Sequence, residues 1–142
     1  MEDKKLKILN FISSKKLTVI STINKQNHPE SAVVAFSQNS NLELIFGTSS
    51  TSRKYKNLQN NNRASLVIGW EEDEKITVQY EGIAIQLKGN EKEEARQAHL
   101  KKNPGSKKFD SMPTQTYFKI IPKWIRYSSL SISPPEIFEI SF

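Results

Sequence analysis

Hydroxyl and basic side chains gather in one short stretch, and their chemistry suits an anionic ligand. Thr48 and Ser52 supply hydroxyls, and Arg53, Lys54 and Lys56 follow at once. Cations are disfavoured in the first turn of a helix, because its N-terminus already carries partial positive charge. A phosphate group would remove this conflict, since hydroxyls, free backbone N–H groups and a guanidinium all donate to its oxygens. Basic side chains that point into screened solvent would explain the same residues without a ligand.

This stretch lies between a predicted strand and a predicted helix. The apolar run 42–46 precedes it, and helical spacing follows over residues 52–60. Ser52 or Thr51 is the expected N-cap, because a side-chain hydroxyl can accept from an unpaired N–H group of the first turn. The sequence therefore predicts a strand, a hydroxyl-rich turn and a helix start at which a phosphate could bind.

The composition is that of an ordinary globular protein with a basic excess. A length of 142 residues favours one domain over 1–142, and 21 Lys and Arg against 15 Asp and Glu give a formal charge of +6. Part of the excess lies in the segment 101–108, whose role the sequence does not indicate. A basic nucleic-acid-binding barrel is one alternative. No predicted strand combines basic residues with interleaved aromatics, which disfavours nucleic acid as a partner.

Several kinds of site and location are disfavoured by what the sequence lacks. There is no cysteine, which excludes disulfides, thiolate metal sites and a cysteine nucleophile. No apolar stretch is long enough to span a bilayer and no signal-peptide pattern begins the chain, so we expect a cytoplasmic protein with no membrane partner.

The two histidines, His28 and His99, are expected to be exposed. Neither has a second ligand-type residue at a metal-binding spacing, so no metal site is expected. No residue stands out as a catalytic acid, base or nucleophile, and the catalytic residues therefore stay unassigned. If the protein is an enzyme, a bound cofactor would do the chemistry.

Alternating apolar residues predict a mainly β fold with flanking helices. Amphipathic or capped helices are predicted at about 3–14 and 90–102, besides the one at 52–60. The segment 106–113 has no periodicity and is predicted to be a surface loop. Short polar turns separate the first three predicted strands, which is typical of an antiparallel meander. Strands are predicted at 17–23, 31–36, 42–46, 64–70, 75–87, 116–121, 123–127 and 137–140.

The predicted strand at 75–87 changes phase in its middle. Its apolar positions are even-numbered before Gly82 and odd-numbered after it. A glycine at such a change is typical of a bulge or a tight bend, and strands that bend in this way close sheets into barrels. We therefore expect a small barrel rather than a flat sheet.

The ordered set of these segments resembles the pyridoxamine 5′-phosphate oxidase-like family of FMN-binding split β-barrels. The resemblance covers roughly residues 6–88, and the segment Pro122–Ser128 is similar to small stand-alone members. The matching pieces are Leu17–Ile23, the turn at His28 and Pro29, Ala32–Phe36, Leu42–Thr48, Ser52–Lys54, Asn57–Leu58, Asn62–Leu66 and Gly82–Ala84.

The resemblance implies a homodimeric, antiparallel split β-barrel with FMN in two grooves at the subunit interface. The residues that bind the FMN phosphate in the family carry over to Thr48, Ser52, Arg53 and Lys54. A flavin-dependent oxidoreductase acting on an unidentified small molecule is the implied function.

The resemblance also places the flavin ring beside the second strand. Backbone groups of Val34 and Ala35 would contact the isoalloxazine, and Trp124 and Arg126 of the second subunit would complete the site. Trp124 and Arg126 share one face of the predicted strand 123–127, because side chains alternate along a strand.

Two departures from the family pattern bear on the substrate. Pyridoxamine phosphate oxidases carry Arg and Lys where this chain has Ala32 and Ser37, and their C-terminal Arg-x-His signature is missing. The expected substrate is therefore not pyridoxamine phosphate, and the smaller number of cations implies weaker FMN binding. A non-catalytic flavin or haem carrier on the same barrel is the alternative, and a deazaflavin could replace FMN.

Overall fold

The computed structural model describes every residue from 1 to 142. Pro104–Ser106 forms a 3-10 turn. The helices are α1 (Glu2–Ser13), α2 (Arg53–Asn60), α3 (Gly89–Lys102) and α4 (Lys107–Asp110). None of them is both long and apolar enough to cross a membrane. The strands are β1 (Leu17–Ile23), β2 (Pro29–Ala35), β3 (Ser37–Gln38), β4 (Leu44–Ser49), β5 (Arg63–Ile68), β6 (Ile76–Gln86), β7 (Gln115–Ser129) and β8 (Glu136–Ser141).

The strands form one antiparallel sheet in the order β2-β1-β5-β6-β7-β4-β3. β7 pairs with β6 along one edge. Along the other edge, the first half of β7 pairs with β4 and the second half pairs with β8. The chain passes from β2 through Phe36 directly into β3, so the two ends of this order belong to one continuous segment. The prediction of a mainly antiparallel split barrel with flanking helices is confirmed.

The main hydrophobic core lies on the inner face of this sheet, under α1. Strand side chains enter it at every second position, as Leu66 and Ile68 do on β5. On α1, Ile8 and Ile12 are completely buried, because residues four apart lie on the same face of a helix. Burial of these two side chains contributes about 1.5–3 kcal/mol each to the free energy of unfolding.

The hydroxyl of Tyr80 on β6 is a buried polar group within this core. It donates to the carbonyl oxygens of Leu42, at 2.8 Å, and Ile120, at 3.0 Å. Burial raises the pKa of Tyr80, so the phenol stays protonated and remains a donor. The two bonds join β6 to β7 and to the turn before β4, which fixes the start of the strand that leads to the candidate site.

A second, smaller cluster lies on the outer face of the sheet, beneath α3. It contains Ile45, Leu87 and Tyr117, and Ala95 of α3 packs against it. This cover explains why Leu87 is apolar although it does not face the main core.

The bulge predicted at Gly82 is present, but the extra residue lies in β7. Gly82 pairs with Pro122 and Glu81 pairs with Trp124, which leaves Lys123 without a partner on β6. β6 itself continues to face the core with its even-numbered residues, so the predicted change of face within β6 is wrong. Pro122 is tolerated beside the bulge, where the ladder is already interrupted.

The segment 106–113, predicted to be a loop, contains a short helix instead. α4 follows the 3-10 turn directly, and Asp110 at its end accepts bonds from Arg96 of α3 and from the hydroxyl of Tyr117. One turn of helix is too short to show a hydrophobic period, which is why the sequence pattern missed it.

We expect Gly82→Ala to destabilise the fold by about 1–3 kcal/mol through overpacking. A Cβ at this position would lie 2.5 Å from the carbonyl oxygen of Ile121 and 2.8 Å from a methyl group of Ile120. Urea denaturation measures the loss. Gly105→Ala is the matched control, because a Cβ there meets nothing within 4 Å. Equal stability of the two variants would contradict the close approach of β6 and β7.

Candidate functional site

The turn from β4 into α2 is built on two bonded hydroxyls. Thr48 is buried, and its Oγ1 lies 2.8 Å from Oγ of Ser52. Ser52 Oγ also accepts from the N–H group of Tyr55 at 3.1 Å, so Ser52 is the N-cap of α2. Of the two caps that the sequence allowed, the structure selects Ser52 rather than Thr51.

Two backbone donors at the start of α2 have no protein acceptor. The N–H groups of Ser50 and Ser52 donate to the carbonyls of Thr114 and Ser49. Those of Arg53 and Lys54 precede the first intrahelical bond, and no protein atom accepts from them. These two amides, at the positive end of the helix dipole, are donors available to an anion.

The cations of this turn differ in their surroundings. Arg53 has a side chain that is 73% exposed, and its Nη1 lies 3.4 Å from Oε2 of Glu30. Lys54 is half-buried and makes no ion pair; burial, with a smaller effect of the Arg53 charge, lowers its pKa. Lys56 is exposed. A carboxylate thus already offsets part of the positive charge that made the helix start unusual.

Glu30, which the sequence analysis did not identify, is held in place from two sides. Asn57 donates to its Oε1 at 2.9 Å, and Asn24 donates to its Oε2 at 3.1 Å. These two bonds, with smaller contributions from the Arg53 and His28 charges, lower the pKa of Glu30. No local pattern could have revealed it, because its approach to Arg53 depends on how α2 packs against the β1–β2 hairpin.

A small cavity of about 130 Å³ opens beside the cations, lined by Arg53, Lys54, Glu30, Thr22, Ser31 and Ala32. It shares Thr22 with a larger cavity of about 550 Å³, which crosses the outer face of β1, β5 and β6. That cavity in turn shares Ser21, Ser65 and Glu81 with a third one, which reaches Trp124. We call these three cavities, which share lining residues, the outer groove; their linings together extend from the start of α2 to β7.

β2 borders the small cavity and has an open edge. The Phe36 N–H group bonds to Lys16, and alternation along the β1–β2 ladder then turns the backbone groups of Val34 toward β1. Those of Ala35 point to the other edge, where β2 has no strand partner. Of the two expected ring contacts, only Ala35 therefore presents free backbone groups.

Trp124 lies at the other end of the outer groove, and Arg126 follows two residues later on the same strand, β7. They share one strand face, as predicted, while Ile125 between them is buried in the core. Both donate to Glu139 of β8: Trp124 through its indole N–H at 2.9 Å, and Arg126 at 2.8 Å. Within one chain they are therefore not brought to the Thr48–Lys54 turn.

The expectation that both histidines are exposed is wrong for His99. His99 is only 3% exposed, and its Nδ1 lies 3.2 Å from Oγ of Ser37. Burial, and then the Lys102 charge, lower the pKa of His99 to about 4, against a smaller opposing effect of Asp110. The C-terminal end of α3 packs over β3, which a polar helix sequence does not disclose. His28 is exposed in the β1–β2 turn.

The sequence profile of the family described as pyridoxamine 5′-phosphate oxidase matches residues 5–129. The chain belongs to this family. None of the curated protein sequences compared with the chain matches it.

Solved structures share the fold at low sequence identity. General Stress Protein 26 from Bacillus anthracis is 25% identical, with a TM-score of 0.73 over 96% of this chain and 98% of that one. A heme binding protein from Mycobacterium smegmatis is 17% identical, with a TM-score of 0.83 over 99% of this chain but only 58% of that one. A heme storage protein from Vibrio cholerae is 17% identical, with a TM-score of 0.68 over 82% and 88%. Two of these three proteins are thus named for haem, and at this identity the likeness shows the fold alone.

We expect His99 to make the fold less stable as the pH falls from about 6.5 to about 4. Its pKa is lower in the folded state than in the unfolded chain, so the unfolded chain binds the extra proton in this range. The free energy of unfolding should fall by up to about 1.4 kcal/mol per pH unit. Chemical denaturation across this range measures the slope.

The control for this prediction is a comparison of two variants. His99→Gln should remove that part of the slope, whereas His28→Gln, at the exposed histidine, should retain it. An unchanged slope in His99→Gln would contradict the buried, neutral imidazole.

Proposed function

We propose that this protein binds FMN, with the phosphate at the start of α2, and acts as a flavin-dependent oxidoreductase on a small molecule. The observation that carries the proposal is the pair of unpaired amides of Arg53 and Lys54 beside the small cavity, in a chain of the pyridoxamine 5′-phosphate oxidase family. When bound, the flavin would supply a hydride acceptor and donor at its N5 atom.

The residues at the start of α2 fit a phosphate monoester. The two amides, the Ser52 hydroxyl, the Arg53 guanidinium and the Lys54 ammonium are all donors, as phosphate oxygens require. Thr48, which is buried behind Ser52, would orient the Ser52 hydroxyl through their 2.8 Å contact. The proposed role of Thr48 is therefore to position Ser52.

The ring of the flavin would extend from this turn along the open edge of β2, which offers the backbone groups of Ala35. A ligand bound at such an edge leaves one side of its flat ring uncovered. A two-fold dimer places the same face of both copies in contact, so Trp124 and Arg126 of a second copy could cover the ring.

Apolar residues on the outer face support the proposed homodimer. Leu17 and Val33 are about half exposed, and Val19 pairs with both Val33 and Val67 across β2, β1 and β5. These side chains form an apolar strip, part of which, Val19 and Val67, lines the outer groove. Such a strip is typical of a surface that a protein partner covers.

The proposed substrate is a small molecule other than pyridoxamine phosphate. Ala32, where pyridoxamine phosphate oxidases carry Arg, lines the small cavity and offers no charge to a second phosphate. Ser37, where they carry Lys, is buried and bonded to His99, so it does not reach the groove. Both positions that distinguish the substrate in those oxidases are therefore apolar or inaccessible here.

A haem carrier is the second candidate, because a heme binding protein from Mycobacterium smegmatis and a heme storage protein from Vibrio cholerae share the fold. The difficulty for this candidate is that neither histidine is placed to bind the haem iron. His99 is buried and bonded to Ser37, and His28 does not line the outer groove. Titration with haemin tests this candidate: a Soret band at one haem per chain would favour it over FMN.

We expect the protein to carry FMN as a dimer. After incubation with FMN and size-exclusion chromatography, a flavin absorption band should elute with protein of twice the chain mass, and FMN fluorescence should be quenched on titration. A deazaflavin, riboflavin and haemin are compared in the same assay. The proposal fails if FMN shows neither quenching nor coelution.

Arg53→Ala should weaken FMN binding by about 1.5–3 kcal/mol, because it removes charged hydrogen bonds to the phosphate. Riboflavin, which has the same ring and no phosphate, should bind both proteins alike. Isothermal titration measures both ligands. Lys56→Ala is the matched control, since Lys56 is an exposed cation of the same helix that does not line the small cavity. Wild-type FMN affinity in Arg53→Ala would refute this assignment of the phosphate.

A further inference from the structure

A carboxylate lies among the donors proposed for the phosphate. Glu30 lines the small cavity together with Arg53 and Lys54, and its Oε2 lies 3.4 Å from Nη1 of Arg53. A carboxylate and a phosphate dianion have only acceptors, so they cannot hydrogen-bond to each other. An anion entering this cavity therefore meets two cations and one fixed anion.

The carboxylate is held more firmly than the guanidinium. Asn57 is buried and donates both to Thr22 Oγ1 and to Glu30 Oε1, each at 2.9 Å, while Asn24 binds the other oxygen of Glu30. The Arg53 side chain is largely exposed, and Glu30 is its ion-pair partner. Of the two groups, Arg53 is the one free to move, so an arriving phosphate would draw Arg53 away from Glu30.

We propose that Glu30 competes with the flavin phosphate for Arg53 and thereby makes the flavin exchangeable. The inference rests on the proposed function and adds a residue that sets the affinity of the same site. Binding a phosphate costs the Arg53–Glu30 ion pair and brings two anions close together. Both effects weaken the hold on the phosphate and leave the contacts of the ring unchanged.

The test compares FMN with riboflavin in the full-length wild-type protein and in Glu30→Gln. A glutamine keeps an amide oxygen for Asn57 and removes the charge. We expect FMN to bind on the order of tenfold more tightly in the variant, as loss of one nearby like charge predicts. Riboflavin affinity should stay the same. Asp73→Asn is the matched control: it changes the net charge equally, at an exposed turn residue.

Two further proteins separate competition from a structural effect. Glu30→Thr, which suits a β-strand and also lacks the charge, should increase the affinity for FMN by the same factor. In an Arg53→Ala background, Glu30→Gln should increase the affinity for FMN by a smaller factor, because the ion pair is already absent.

Unchanged or weaker FMN binding in both Glu30 variants would overturn the inference, and weaker binding would mean that Glu30 positions Arg53 for the phosphate. A parallel gain for riboflavin would also overturn it, since the effect would not concern the phosphate. If wild-type protein and Glu30→Gln both fail to bind FMN, the proposed function falls as well.

Discussion

β3 and β4 pair over only two residues, and the candidate site is open because the pairing stops there. Ser37 pairs with Ile45 and Gln38 with Leu44. Continued by two residues, the same register would pair Ala35 with Gly47 and close the barrel over the start of α2. Because β2 instead pairs with β1 alone, the backbone groups of Ala35 on the open edge of β2 stay free, and the Thr48–Lys54 turn borders a cavity.

Local patterns predicted the parts of this arrangement that depend on neighbouring residues. The short strands, a cap at Ser52 or Thr51 and the shared face of Trp124 and Arg126 all follow from periods of two or from helix capping. The predicted meander is wrong at its third strand, because β4 pairs with β3 and β7 rather than with β2. The patterns failed where distant elements pack. α3 covers Leu87 and buries His99, and the extra residue of the bulge lies in β7 opposite Gly82.

The candidate site shows the same division between local and distant information. Cations at a helix start can be recognised in a sequence, because they conflict with the helix dipole. Glu30 could not be recognised, since it reaches Arg53 only through the packing of α2 against the β1–β2 hairpin. The family match supports the fold, whereas the proposed substrate differs from pyridoxamine phosphate because of the residues at Ala32 and Ser37.

In the proposed complex the start of α2 holds the flavin phosphate and a second copy of the chain covers the ring. A crystal structure of the protein grown with FMN tests this arrangement most directly. We expect phosphate oxygens within hydrogen-bond distance of the Arg53 and Lys54 amides and of Ser52 Oγ, with the ring between β2 and a second copy. An FMN phosphate located away from α2, or a flavin bound wholly within one chain, would contradict it.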